Sequence, residues 1–147
     1  MVQAFQFLAT FCAALFAGAA LYINVVEHPS RMGLETGMAA AQWAPSYKRA
    51  TWLQAPLALI SLLSGAAAWL LGAGAPWLVA AALIGSVVPF TFIGVMPTNR
   101  KLLAPNRDLS SAETRALLER WAALHAVRTA LSIAATIVYI WLTLQMP

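Results

Sequence analysis

The chain has 147 residues, of which 61% are hydrophobic and only 10% are charged, and its formal net charge is +4 at pH 7. A soluble domain averages about 25% charged residues, so this composition excludes a protein whose whole surface meets water. The basic residues lie between apolar runs and form no patch interleaved with aromatic rings, so the sequence argues against nucleic-acid binding.

Four apolar stretches are each long enough to cross a bilayer as a helix, which takes about 20 residues. They cover approximately residues 2–26, 51–72, 76–96 and 122–144. No Lys or Arg precedes the first stretch, so we predict a retained helix and not a cleaved signal peptide. The pattern predicts an all-α fold, an antiparallel four-helix bundle that forms a single transmembrane domain over residues 1–147.

The segments that link these stretches carry most of the positive charge. Eight of the nine Lys and Arg residues lie in segments 27–50 and 97–120. The positive-inside rule therefore predicts that both segments are cytoplasmic and both termini outside, in a bacterial-type inner membrane. The motif Ser110-Ser111-Ala112-Glu113 resembles a capping box and predicts a cytoplasmic extension of the fourth helix.

Two local signals concern the second and third helices. The short stretch from Gly72 to Pro76 predicts a tight connection, which makes these helices antiparallel neighbours. Pro89 falls inside the third apolar stretch, where it removes one backbone hydrogen bond and predicts a kink.

Polar side chains follow one face of the fourth helix at spacings of three or four residues. Facing lipid, such a stripe would be costly, so we expect it to face the bundle interior. Its members are Trp121, His125, Arg128, Ser132, Thr136, Tyr139 and Thr143.

Unusual residues for a membrane protein occur at three helix ends that the predicted topology brings to the same side. Burying an ionisable group at membrane depth costs several kcal/mol unless it is paired, so such a group is a functional candidate. Asn24, Glu27 and His28 share one face of the first helix. We predict catalytic roles for His28, Asn99, His125 and Arg128, and substrate binding by Asn24, Glu27, Tyr47 and Trp121.

These residues allow other interpretations. Arg128 could form a structural ion pair with Glu27, which is the nearest carboxylate in the predicted topology. His28 and His125 could act as acid and base near neutral pH, or could bind a metal ion or haem. The spacing adds no further metal ligand, since the chain has no His-x-x-x-His motif and only one cysteine, Cys12.

Several short motifs, taken in order, resemble the anthrone oxygenase-like family of small four-span membrane proteins, over essentially the whole chain. The motifs are His28-Pro29, Pro45-Ser46-Tyr47-Lys48-Arg49, Gln54-Ala55-Pro56, Pro97-Thr98-Asn99, and Trp121 followed by His125-Ala126-Val127-Arg128-Thr129.

The resemblance implies oxidation of an anthrone to an anthraquinone, with dioxygen as co-substrate and without an obvious organic cofactor. It suggests His28 or His125 as the base, and Arg128 and Asn99 as groups that stabilise an enolate oxygen. The expected partners are membrane lipid and a hydrophobic phenolic or ketone-like small molecule.

Three hypotheses therefore stay open. The first is a membrane oxidoreductase, and the second is a metal or haem protein that uses His28 and His125. The third is a non-enzymatic structural or transport protein, although the sequence has no inverted repeat that would favour transport.

Overall fold

A computed structural model describes residues 1–145 and contains four long helices. They are α1 (Val2–Met32), α2 (Thr36–Ala73), α3 (Ala75–Leu102) and α4 (Ala112–Leu144), and each is long and apolar enough to cross a membrane. The described residues form no strand. The predicted all-α transmembrane bundle is therefore confirmed, and the chain is an integral membrane protein.

The helices form a square bundle in which sequence neighbours are also spatial neighbours. Helix α1 packs against α2 and α4, and α3 packs against the same two helices. The turn between α2 and α3 depends on two glycines with positive φ, Gly72 at 92° and Gly74 at 98°. Residues other than glycine rarely adopt such angles, which explains why this connection can be as short as predicted.

Small residues allow the helix backbones to approach closely in the half of the bundle away from the basic segments. In lipid, this close packing and interhelical hydrogen bonds take the place of the hydrophobic effect. The Ser61 hydroxyl of α2 donates to the Ala9 carbonyl of α1 at 2.8 Å. The Tyr139 hydroxyl of α4 donates to the Ser61 carbonyl at 3.3 Å. One serine thus links three helices.

Two π-helical turns precede prolines at the other end of the bundle. Ile23–Glu27 in α1 is followed by His28 and Pro29, and Thr91–Val95 in α3 is followed by Met96 and Pro97. Proline has no N–H, and its ring clashes with the carbonyl four residues earlier. A widened turn relieves this conflict, so both helices continue past their prolines. The second π turn begins directly after Phe90, next to Pro89, where the sequence predicts a kink.

Helix α2 begins much earlier than the apolar stretch that starts at residue 51. Most of segment 27–50, which the sequence suggested as a linker, is helical, and only residues 33–35 are not. The charges of Lys48 and Arg49 lower the hydropathy of this region without opposing a helix. Its first turns bury Ala39, Ala40 and Trp43 against the bundle.

The extension of α4 is present, with its N-cap at Ser111. The Ser111 hydroxyl accepts a hydrogen bond from the Thr114 backbone N–H at 3.2 Å. Glu113 does not complete a capping box, because with the cap at Ser111 it is the second helical residue and not the third. Its carboxylate pairs instead with Arg107 at 3.1 Å. Ser110 donates to the Asp108 carboxylate through both its hydroxyl and its backbone N–H, which holds the pKa of Asp108 below its usual value.

We expect Ser111→Ala to lower the free energy of unfolding by about 1 kcal/mol, the usual contribution of an N-cap side chain. Helix content followed by circular dichroism during denaturation in mixed micelles would measure it. Ser110→Ala is the matched control and should have a smaller effect, since Ser110 is exposed. A larger loss for Ser110→Ala would show that the cap is assigned to the wrong serine.

Candidate functional site

A small central cavity lies toward the end of the bundle that carries segments 27–50 and 97–120, called here the basic end. Its volume is about 10 Å³, which is close to the size of a single water molecule. Its polar and aromatic lining comes from α1, α2 and α4 and consists of Arg31, Ser46, Tyr47, Thr51, Gln54, Trp121, His125 and Arg128.

His125 is held in one orientation and one tautomer by Asn24 of α1. The Asn24 amide nitrogen donates to the Ala122 carbonyl at 3.2 Å, so its oxygen faces α4. That oxygen accepts from the Thr129 hydroxyl at 2.6 Å and lies 2.7 Å from Nδ1 of His125. An amide oxygen can only accept, so Nδ1 carries the hydrogen. In the neutral ring, Nε2 then keeps its lone pair.

Arg128 has a different partner from the one predicted. Its Nη2 donates to Oε1 of Gln54 at 3.0 Å, and its guanidinium carbon lies 5.6 Å from the centre of the Phe16 ring. The predicted ion pair with Glu27 is therefore wrong. Glu27 lies one helical turn from Arg31 on α1, and this local pairing engages its carboxylate.

Arg31 is the centre of a polar network that was not predicted from the sequence. Only 2% of this residue is exposed. It donates to the Glu27 carboxylate, which also accepts from the Ser46 hydroxyl, and its Nε donates to Gln42 at 2.9 Å. The network ties α1 to the first turns of α2. The four-residue spacing of Glu27 and Arg31 was the signal that could have indicated it.

His28 belongs to this network and differs from His125 in its tautomer. Its Nδ1 lies 3.3 Å from Nη1 of Arg31, and because a guanidinium only donates, Nδ1 is the acceptor. In the neutral ring the hydrogen is therefore on Nε2, which is buried without a hydrogen-bond partner among the described residues. The lone pair of His28 is thus already used, whereas that of His125 is free.

The two histidines pack against the same indole. The Trp121 ring stacks on His125 at 4.9 Å and lies tilted against His28 at 5.3 Å, measured between ring centres. Trp43 packs edge-on against Trp121 at 5.8 Å and stacks on Tyr47 at 5.1 Å. This aromatic cluster holds Tyr47 at the wall of the cavity.

The remaining predicted site residues do not line the central cavity. Asn99 is fully buried, and neither atom of its amide group finds a hydrogen-bond partner within residues 1–145. Across the same residues, no group of three or more His, Cys, Asp or Glu side chains could hold a metal ion. Metal or haem binding through His28 and His125 alone stays a prediction.

A larger apolar cleft between α2 and α3 adjoins the central cavity. Its volume is about 130 Å³. Tyr47, Thr51 and Arg128 line both spaces, so Arg128 lies where the cleft meets the central cavity. The apolar walls of the cleft include Phe16, Ala55, Ala58, Val87, Val88, Phe92 and Met96.

A second opening lies on the other side of α2, between α1 and α2. This cleft has a volume of about 600 Å³ and is lined in part by Glu27, Gln42, Arg49 and Gln54. Gln54 lines both this cleft and the central cavity. The central cavity is therefore flanked by an apolar cleft on one side and a more polar cleft on the other.

Comparison with known families agrees with the motifs noted in the sequence. The family model described as anthrone oxygenase matches residues 43–138, which is more than half of the chain. The chain belongs to the anthrone oxygenase family. The matched region of this family member includes His125 and Arg128, whereas Asn24 and Glu27 on α1 precede it.

A curated relative in this family is anthrone oxygenase tpcL of Aspergillus fumigatus, which is 44% identical to the chain over 61 residues. The matched region covers 40% of the chain and 38% of the relative, so the chain spans well under half of the curated protein it matches. No solved structure matches this anthrone oxygenase family member.

Proposed function

We propose that this membrane protein oxidises an apolar anthrone-type or phenolic small molecule with dioxygen, with His125 as general base and Arg128 as the group that stabilises negative charge. The observation that carries the proposal is the hydrogen bond from Nδ1 of His125 to Asn24, because it leaves the Nε2 lone pair free on a ring that lines the same cavity as Arg128. The family and the printed name of the relative support the reaction class.

The first step is removal of a proton from the substrate. An anthrone has a methylene carbon between two aromatic rings and opposite a carbonyl group, and its anion is an aromatic enolate. Nε2 of His125 takes the proton, and the developing oxygen charge is stabilised by Arg128 in a site largely shielded from water. Asn24 accepts from Nδ1–H and so keeps the ring oriented as the imidazolium forms.

The second step is oxidation of that anion. The deprotonated methylene carbon transfers one electron to dioxygen, and the two radicals then combine to form a C–O bond. The resulting peroxide anion takes a proton from the His125 imidazolium. The hydroperoxide then loses its remaining C–H proton to His125 while the O–O bond breaks. The hydroxide that leaves takes this proton from the His125 imidazolium and becomes water. Anthrone and dioxygen thus become anthraquinone and water.

The cleft between α2 and α3 suits the substrate in polarity. Its walls are aromatic and aliphatic, and its inner end is polar at Arg128, Tyr47 and Thr51. A planar apolar molecule can reach such a cleft from the lipid. Dioxygen dissolves readily in the same phase. Tyr47 and Trp121 are proposed as substrate contacts, whereas His28 and Asn99 have no step in this scheme.

The proposal is tested with purified protein in detergent and anthrone as the substrate. We expect oxygen uptake above the spontaneous rate, with one dioxygen consumed for each anthraquinone formed and no hydrogen peroxide released. Thr136→Val is the matched control, since Thr136 lies on the same helix but donates only to the Ser132 carbonyl within α4. Uptake no faster than in a protein-free solution would refute the proposal.

A further inference from the structure

We propose that Gln54 is a second hydrogen-bond donor to the substrate oxygen, so that Gln54 and Arg128 together form a binding site for an enolate or phenolate oxygen. This inference rests on the proposed function, and it assigns a binding role to a residue of α2 that was not among the predicted site residues. Gln54 is 2% exposed and lines the central cavity together with His125 and Arg128.

The orientation of the Gln54 amide follows from its partner. The Arg128 guanidinium can only donate, so the amide atom 3.0 Å from its Nη2 must be the oxygen. The amide nitrogen therefore points away from that contact. Because one contact holds both side chains, the guanidinium of Arg128 and the NH₂ group of Gln54 have a defined mutual position.

One further donor on each of these two side chains has no acceptor among residues 1–145. Nε2 of Gln54 and Nε of Arg128 are both buried and make no hydrogen bond to any described residue. Buried donors without an acceptor are rare in folded proteins because their desolvation is not compensated. Two such donors on side chains that touch each other indicate that an oxygen atom from a ligand completes the site.

The chemistry favours an anionic oxygen over a neutral one. One of the two donors belongs to the Arg128 cation. The lining of the cavity contains no carboxylate. Glu27 lies outside this lining, where its carboxylate accepts hydrogen bonds from Arg31 and Ser46. The other titratable side chains of the lining are Arg31, Tyr47 and His125. An enolate or phenolate would receive hydrogen bonds from both Gln54 and Arg128, and hydrogen bonds to a charged group are the stronger kind.

The test uses 2-hydroxyanthraquinone, a planar phenol that is already oxidised and whose visible absorbance changes when it ionises. Bound to the wild-type protein, it should ionise at lower pH than in detergent alone. In Gln54→Met, the ionisation midpoint of the bound probe should rise by about one to two pH units, the effect of losing one hydrogen bond to a charged group.

A second variant separates ligand binding from a structural role. Gln54→Glu keeps an oxygen for Arg128 but removes the amide donor. For this variant the ligand is neutral anthraquinone, because a carboxylate would repel an ionised probe whatever the role of Gln54. If Gln54 serves only to hold Arg128, the variant should bind anthraquinone as tightly as the wild type does. We expect instead weaker binding, because the amide donor to the ligand oxygen is lost.

The outcomes distinguish this inference from the proposed function. An unchanged midpoint in Gln54→Met, undiminished binding of anthraquinone by Gln54→Glu, or no binding of the probe to the wild type overturns the role of Gln54, and the two donors would then serve a water molecule. Oxygen uptake by the wild type together with an unchanged midpoint rejects this inference alone. A Gln54-dependent midpoint without oxygen uptake rejects the oxygenase and keeps the anion site.

Discussion

Replacing His125 with alanine is expected to lower the rate of anthrone oxidation about 10²–10⁴-fold, the usual contribution of a positioned general base. The expectation depends on the tautomer. Asn24 holds the hydrogen on Nδ1, so Nε2 is the nitrogen that can accept a proton in the central cavity. Steady-state oxygen uptake with purified variants would measure the loss.

His28→Ala is the informative comparison, because the two histidines contact the same indole. His28 accepts from Arg31 and does not line the central cavity, so its loss should slow turnover far less. Added imidazole should restore part of the activity of His125→Ala, because a free base can enter the space that the ring leaves. A larger loss for His28→Ala would make His28 the base. Equal losses would favour a shared metal ion.

Replacing Gly65 with alanine is expected to destabilise the bundle by about 1–3 kcal/mol, the usual effect of overpacking a dense interior. A Cβ atom at this position would lie 2.0 Å from the Tyr139 hydroxyl oxygen and 3.0 Å from Cβ of Ala81. The tyrosine would have to move, and its hydrogen bond to the Ser61 carbonyl would break. Denaturation in mixed micelles, followed by circular dichroism, would measure the change.

Two further variants make this prediction specific. Gly18→Ala should leave stability unchanged or slightly higher, since no atom lies within 4 Å of the added Cβ. Tyr139→Phe in the Gly65→Ala background should recover part of the loss, because it removes the atom that clashes most. If Gly18→Ala and Gly65→Ala cost the same, helix propensity and not packing determines the effect.

Features that depend on one helix alone were predictable from the sequence. A bilayer requires about 20 apolar residues per helix, so four spans could be counted directly. The periodicity of α4 predicted its inward face, and Trp121, His125, Ser132 and Tyr139 are indeed buried, whereas Thr143 near the end of the helix is exposed. The start of α2 at Thr36 was not predictable from hydropathy. The part of a helix that lies outside the apolar region can form without a run of apolar residues, so hydropathy does not mark where it begins.

The pairing of polar groups was the part that spacing could not predict. Arg128 was expected to meet Glu27, but it binds Gln54, while Glu27 binds Arg31 and Ser46. A π turn changes the rotation of every residue that follows it, and those at Ile23–Glu27 and Thr91–Val95 precede His28 and Asn99. Without knowledge of these turns, the direction of the two side chains could not be deduced.

By itself, the sequence determined that the chain is a bundle of four membrane helices and which residues could carry chemistry, because hydropathy and helical periodicity are properties of a single segment. Only the tertiary structure decided that Asn24 orients His125, that Gln54 faces Arg128, and that His28 is engaged by Arg31. Hydrogen bonds act over about 3 Å, and such distances depend on how closely each helix approaches its neighbours and how far it is rotated.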